Sequence, residues 1–587
     1  MKTTIVATAL AIGLAMAWQA AASENQDAAL AVFFKDYLEK HFRQSPLSAT
    51  RLGDHRFDHL LDDLSATSRA EWRELSRQTL EDLPKRIDYA KLSRSGQIDY
   101  EIFKRSVDAD LWLTDNIHPF NDDPRIYNDY ATESVYLLLT QSTLPKAQNV
   151  KNSAARIRLI PKALAAARQN LGHPPRVFLD TAIRQNRGAI AFYEHAIYDI
   201  AGENPQLSEL AAPCQALAKE LRAYQKFLED ELARRADGQW RIGKEKFARK
   251  LDYELDAGLS AEQVLQDAES EFVRVENEMY VIARQLWAQT FPGKALPPDD
   301  ADGRRSTILQ VLGKLNQNHN KVENLVSDAR DIVAQIKKFI AEKDILRLPE
   351  PDHCQVLEMP EFQRGNTVAF LNPAAPLDPR AASIYAISPP PKDWDARRVN
   401  SYLEEYNRYM MHLLTIHEGY PGHYVQLDYA NRHPSFIRRV LSSGVFAEGW
   451  AVYTEQMMLD QGYGDGNLAL RLNQLKWYLR TVANALLDHR MHCTQMSDRE
   501  ALEFLTKGAY QSEGEALGKI VRAKQSSCQL STYFVGRMAF YRLRQQIERE
   551  QGDQFDLGRY HEAVLAHGTL PVKYLPELVH ERLKQAR

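Results

Sequence analysis

The sequence predicts a mainly α fold, a large helical architecture with one small β element, and three observations carry that expectation. Apolar residues recur at intervals of three and four, under charged outer faces, through residues 26–43, 68–83, 153–171, 208–236, 260–289 and 305–343. The best strand candidate is Ala382–Ser388, enclosed by a proline-rich stretch from Asn372 to Pro391. Third, a patterned segment that begins near Ser401 runs into His417-Glu418-Gly419-Tyr420-Pro421-Gly422-His423. Two imidazoles and a carboxylate within seven residues point to a metal.

At the N-terminus, Lys2 precedes a mostly apolar run from Ile5 to Trp18, followed by Gln19-Ala20-Ala21-Ala22-Ser23-Glu24. That order of charge, apolar core and small residues reads as a secretory signal over residues 1–22, cleaved after Ala22. Residues 23–587 are then expected to be soluble and exported, periplasmic or secreted. No cysteine follows the apolar core, the first being Cys214, so no lipid anchor is expected. No later stretch offers the ~18 unbroken apolar residues of a membrane span. The net charge of −4, from 74 basic and 78 acidic side chains, leaves no footprint for nucleic acid. Cys214, Cys354, Cys493 and Cys528 are too few for a disulfide scaffold, though an oxidising compartment permits up to two bridges.

The helical segments show no solenoid period. Breaks at Phe291-Pro292-Gly293 and at Leu348-Pro349-Glu350-Pro351 either separate a helical front half, 23–345, from a site-bearing half, 346–587, or are loops within one unit. Ser401 and Glu404 fit a capping box. From there Leu403, Tyr406, Met410 and Leu413 form a stripe whose next member is His417, so His417 faces inward.

The familiar zinc-hydrolase signature is H-E-x-x-H, in which histidines four apart share one helical face and the glutamate activates water. Here the spacing is H-E-x-x-x-x-H. Six residues at about 100° each carry the second imidazole away from the first on an ideal helix. The backbone must therefore break, and Pro421-Gly422 supply the break, proline by ending the hydrogen-bond ladder and glycine by accepting positive φ.

The third ligand is expected on a later helix. Glu448 is the only charge before Glu455 in Val445–Glu455, a largely apolar run, and a carboxylate held in a dry setting needs a partner or a metal. His417, His423 and Glu448 then form a His₂Glu set with one position open. Glu455, seven residues on and on the same face, is the rival ligand or a carboxylate that orients one. Asp488 and His492, four apart, meet on one helical face and either touch the site or form an ordinary surface pair. Arg522 and Tyr533 offer a guanidinium and a hydroxyl for an oxyanion or a substrate carboxylate. The strand 382–388 either pairs with an extended peptide or simply covers the core.

His417-Glu418-Gly-Tyr-Pro-Gly-His423-Tyr-Val-Gln426, Glu448-Gly-Trp-Ala-Val-Tyr-Thr-Glu455, Phe555-Asp-Leu-Gly-Arg-Tyr-His561 and Gly568-Thr-Leu-Pro571 resemble the bacterial domain-of-unknown-function 885 family, as do Leu52-Gly-Asp-His-Arg56 and Asn372-Pro373. The resemblance spans nearly all of residues 23–587. It implies a helical, zincin-like metallopeptidase of the gluzincin type with a deep cleft, zinc on His417, His423 and Glu448, the Asp-x-x-x-His element at Asp488 and His492, and the family's Arg and Tyr at Arg522 and Tyr533. Where the family pattern has Pro-Gly-Gln-Ala, this chain reads Ser527-Cys528-Gln529-Leu530.

The expected activity is hydrolysis of peptides by a zinc-activated water, with Glu418 as general base and His492 and Tyr533 assisting, Arg522 binding substrate, and Asp488 and Glu455 supporting them. The alternatives are a zinc amidase acting on a non-peptide or cell-wall amide, and a non-catalytic, zinc-stabilised binding protein. Glu418 argues against the last, since a structural site needs ligands but no base.

Overall fold

The computed structural model describes residues 25–359, 369–378 and 380–585. The segment read as a signal, 1–22, lies outside them. The protein is 74% helical with one three-stranded sheet, a mainly α fold. No helix among the described residues is long and apolar enough to cross a membrane. All four cysteines are free.

The chain forms two compact units, divided at Gln239/Trp240 rather than near residue 345. Both proline-rich breaks fall inside the second unit. Phe291–Asp300 merely joins helices Ala261–Thr290 and Ala301–Asn316, and residues 348–352 lead into the first strand.

The first unit holds residues through Gln239, together with Ala375–Ala381 and His433–Leu441. A helix over residues 25–44 opens it. Ala66–Arg86 and Arg94–Asn116 follow, each N-capped by a serine hydroxyl, Ser65 or Ser93, that accepts a backbone N–H. Helices Arg125–Thr140, Lys146–Asn170, Arg176–Ala191 and Ala211–Lys226 bury Tyr127, Ile157, Leu164, Leu179 and Leu221 in a shared core. Three of these helices, 94–116, 125–140 and 176–191, escaped the periodicity reading. Their inward faces include Asp99, Asn128, Ser134 and Asn186, which dilute an apolar count. The stretch expected as one helix over 208–236 is interrupted after Lys226 by a π turn, Phe227–Glu231, and a 3₁₀ turn, Leu232–Arg235.

In the second unit, Ala261–Thr290 starts at a capping box of Ser260 and Gln263. The expected helix over 305–343 is two, Ala301–Asn316 and Leu325–Glu342. The sheet follows: β1 Cys354–Glu358, β2 Ala369–Asn372 and β3 Ser383–Ile387, in the order β1-β3-β2, with β1 parallel and β2 antiparallel to β3. The strand found in the sequence is therefore the central one. With both sides already paired, β3 cannot add a peptide strand; β2 is the edge beside the histidine helix.

That helix spans Arg408–Glu418 and is capped by Asn407, whose side-chain oxygen accepts from the N–H groups of Tyr409 and Met410. The Ser401–Glu404 capping box does not form. Those residues lie within a separate helix, Ala396–Glu405, capped by Asp395, and the chain breaks at Tyr406-Asn407. Asn407 is buried and its amide also reaches Asn316 and Asn473, so tertiary polar contacts decide where the second helix begins.

Candidate metal centre

Three helices of the second unit bring the ligands together. His417 lies at the C-terminal end of Arg408–Glu418, His423 opens His423–Asn431, and Glu448 lies in the first turns of Gly444–Asp460. One donor atom from each lies within 4.8 Å of the other two. Glu448 Oε2 is 3.4 Å from His423 Nε2 and 3.7 Å from His417 Nε2.

The two extra residues of the motif are absorbed by a turn folded back under the helix end. Gly419 and Tyr420 both donate to Thr415 O, and Gly422 N donates to Ile416 O. Gly422 has φ −71°, so its role is not the positive φ expected from sequence. Its value is close approach: a Cβ there would lie 1.9 Å from His417 O. Trp450 Nε1 donates to Pro421 O at 2.8 Å and ties the turn to the Glu448 helix. That helix in turn crosses Thr532–Gln551 at Gly449 and Gly536, where backbone meets backbone, which brings Tyr533 to the same cavity.

Glu455 settles into the role of orienting His417. It is fully buried, 0% exposed, and its Oε1 accepts from His417 Nδ1 at 2.7 Å and from Trp477 Nε1 at 3.2 Å. With Nδ1–H engaged, His417 Nε2 presents its lone pair toward His423 and Glu448, as a carboxylate–histidine–metal arrangement requires. Burial opposes charge on His417, yet hydrogen bonding to Glu448 and Glu455 holds its pKa well above the ordinary histidine value. Burial would raise the Glu448 pKa, but the two imidazoles hold it well below the usual carboxylate range. Burial also raises the Glu455 pKa, against the pull of His417. Two imidazole nitrogens and one carboxylate oxygen, beside a cavity, suit zinc.

The cavity, about 430 Å³, is lined by the ligands, Glu418, the edge strand β2, Trp477, Arg480, Lys519, Arg522 and Tyr533 among others. Glu418 Oε2 accepts from Leu371 N at 3.0 Å, so the edge strand fixes one carboxylate oxygen. Arg522 Nη2 donates to Gln529 Oε1 at 2.8 Å and to the Tyr533 hydroxyl at 3.3 Å. Burial, and next the Glu448 charge, raise the Tyr533 pKa, so the phenol keeps its proton.

Asp488 and His492 do not reach this cavity. Asp488 is fully buried and accepts from Cys528 N at 3.0 Å and Ser531 Oγ at 3.3 Å. His492 Nε2 donates to Ala523 O at 2.8 Å, between the rings of Trp240 and Phe247, and burial lowers its pKa to about 4. Both grip the turn and helix end that precede Tyr533, so the structure places His492 and Asp488 away from the cavity rather than at the catalytic and ligand-supporting positions expected of them. Sequence reasoning missed Trp477, Arg480, Asn484 and Lys519. A signal existed: Trp477, Arg480 and Asn484 recur at three and four along the otherwise largely buried helix Leu468–Cys493.

The family model described as bacterial protein of unknown function (DUF885) matches residues 46–579. No curated protein matches the chain. Among solved structures, a "putative lipoprotein of unknown function" from Shewanella oneidensis is 28% identical, with a TM-score of 0.80 over 94% of this chain and 99% of that one. A "putative lipoprotein" from Colwellia psychrerythraea, 18% identical, shares the fold with a TM-score of 0.78 over 95% of this chain and 99% of its own.

Proposed function

This chain belongs to the bacterial DUF885 family, whose function is unknown, and on the geometry of its centre we propose that it is an exported zinc metallopeptidase. The observation that carries the reading is a His₂Glu donor set within 4.8 Å, with Glu418 next to His417 on the wall of the same cavity. Ligands alone would serve a structural ion; the adjacent carboxylate suits hydrolysis.

His417, His423 and Glu448 would hold zinc, which would supply Lewis acidity there. Glu418, pinned through Oε2 by Leu371 N, keeps its other oxygen to take a proton from the attacking water and return it to the leaving amine. The Tyr533 hydroxyl, protonated and held by Arg522, donates to the developing oxyanion. The edge strand β2 borders the cavity, where an extended peptide would pair with backbone. Export rests on the signal-like residues 1–22, and the structural neighbours are described as lipoproteins.

The test joins metal analysis to peptide profiling. Protein purified in zinc-replete medium is expected to hold about one zinc per chain and to cut members of a mixed peptide library. Glu418→Gln should slow cutting by ~10²–10⁴ with zinc content unchanged. Zinc at one per chain with no peptide bond broken would defeat the peptidase reading and leave the amidase and the zinc-stabilised binding protein.

A further inference from the structure

Lys519 lies on the wall of the metal-site cavity, 5% exposed, and its ammonium makes no hydrogen bond or ion pair among the described residues. A buried ammonium that no hydrogen bond holds is costly. Burial, with the nearby Arg480 and Arg522 guanidiniums, pushes the Lys519 pKa well below the ordinary lysine value, against the pull of Glu515. An anion beside it would favour the protonated ammonium. Arg522 lies three residues later on the helix Glu513–Gln525, on the same face. Among the described residues its guanidinium hydrogen-bonds only to neutral groups, Gln529 and Tyr533. Arg480, on the opposing helix, is already balanced by an ion pair with Glu515. Glu515, the acid that also attracts Lys519, is thus shared with Arg480, so among the described residues Lys519 and Arg522 stand beside the candidate metal centre with no carboxylate of their own.

Resting on the peptidase reading, we infer that Lys519 and Arg522 form a subsite for a carboxylate of the substrate, either the peptide's C-terminus or an acidic side chain. The guanidinium fork and the ammonium point charge both match a carboxylate. The cavity of about 430 Å³ is at the small end of the ~300–1,000 Å³ range of ligand sites, so the carboxylate lies within a residue or two of the bond to be cut.

Three peptide libraries test this with the zinc-loaded protein: free acids, C-terminal amides, and amides that also lack Asp and Glu, each read by mass spectrometry. Cuts at a fixed distance from the free C-terminus, slowed at least tenfold by amidation, identify the terminal carboxylate. Cuts that persist in the amides beside Asp or Glu identify the side chain. In either case Lys519→Met should erase the preference chiefly through KM, with folding and zinc content retained, and Lys519→Arg should restore part of it. Equal cleavage of all three libraries, or an unchanged preference in Lys519→Met, overturns the subsite while leaving the peptidase reading intact. If no library is cut, the subsite falls together with that reading.

Discussion

Replacing Glu455 or Glu448 by glutamine separates the carboxylate that orients His417 from the one assigned to the metal. Glu455 Oε1 accepts from His417 Nδ1 and Trp477 Nε1 at a fully buried position. Glutamine keeps an oxygen for both donors and removes the charge, so the His417 tautomer survives while the imidazole becomes less basic. Losing such an orienting group costs about 10- to 100-fold in metal affinity, or about 1.4–2.7 kcal/mol. Glu455→Gln should sit near the lower end, because the acceptor remains. Glu448→Gln removes an anionic ligand instead. Four-ligand zinc sites bind with about 10–16 kcal/mol, so an even share is about 2.5–4 kcal/mol, roughly 10²- to 10³-fold. Alanine at 455 is unsuitable, since it would strand two buried N–H groups at about 1–3 kcal/mol each and mix folding with binding. The assay is competition for zinc against a chromophoric chelator at fixed pH, with circular dichroism to check the fold. If Glu455→Gln loses more affinity than Glu448→Gln while both are folded, the ligand assignment is reversed.

Tyr533→Phe should lower turnover on the order of 10²-fold with little change in KM, as expected for a donor to an oxyanion; equal turnover would return the phenol to packing. Gly422→Ala places a methyl 1.9 Å from His417 O, so the turn must open, and zinc affinity should fall at least tenfold with helical content retained; wild-type affinity in that variant refutes the role given to the turn. Asp488→Asn tests a buried carboxyl whose pKa burial pushes up to about 7. The folded chain keeps a proton there that the unfolded chain releases above about pH 4. Native stability is therefore undiminished below that pH and is lost as pH rises through about 7. The variant should resist denaturant better than its parent at pH 8, by at most about 4 kcal/mol, and the advantage should vanish near pH 4. An equal advantage at both pH values rules out the titration as its source.

Local chemistry made the cluster of three donors readable. His417, Glu418 and His423 lie within one turn of chain, and Glu448 advertised itself as a lone charge in an apolar helix; nothing distant had to be known. The same logic found β3, an apolar run fenced by prolines. It failed where a feature depends on what packs against it. Asn407 ends one helix and starts another through contacts with Asn316 and Asn473, which no local pattern announces. The sheet order put β3 in the centre and β2 at the edge, so the backbone that borders the cavity came from a segment with no strand signal of its own. Gly422 was read as a source of positive φ, whereas the fold uses its missing side chain.

Asp488 and His492 show the limit most clearly. Spacing of four placed them on one helical face, and that was right; what the face meets was beyond the sequence. Asp488 holds the backbone of Cys528 and the hydroxyl of Ser531, and His492 holds Ala523 O at the end of Glu513–Gln525. One helix, Leu468–Cys493, thus carries Trp477 and Arg480 on the cavity wall and, three turns later, the two side chains that fix the neighbouring helix and turn. Lys519 and Arg522 lie on that neighbouring helix, and Tyr533 follows the turn. The Asp-x-x-x-His pair therefore bears on the centre by setting where the cations and the phenol stand relative to the wall they face, Asp488 through the Cys528 N–H of the turn and His492 through Ala523 O.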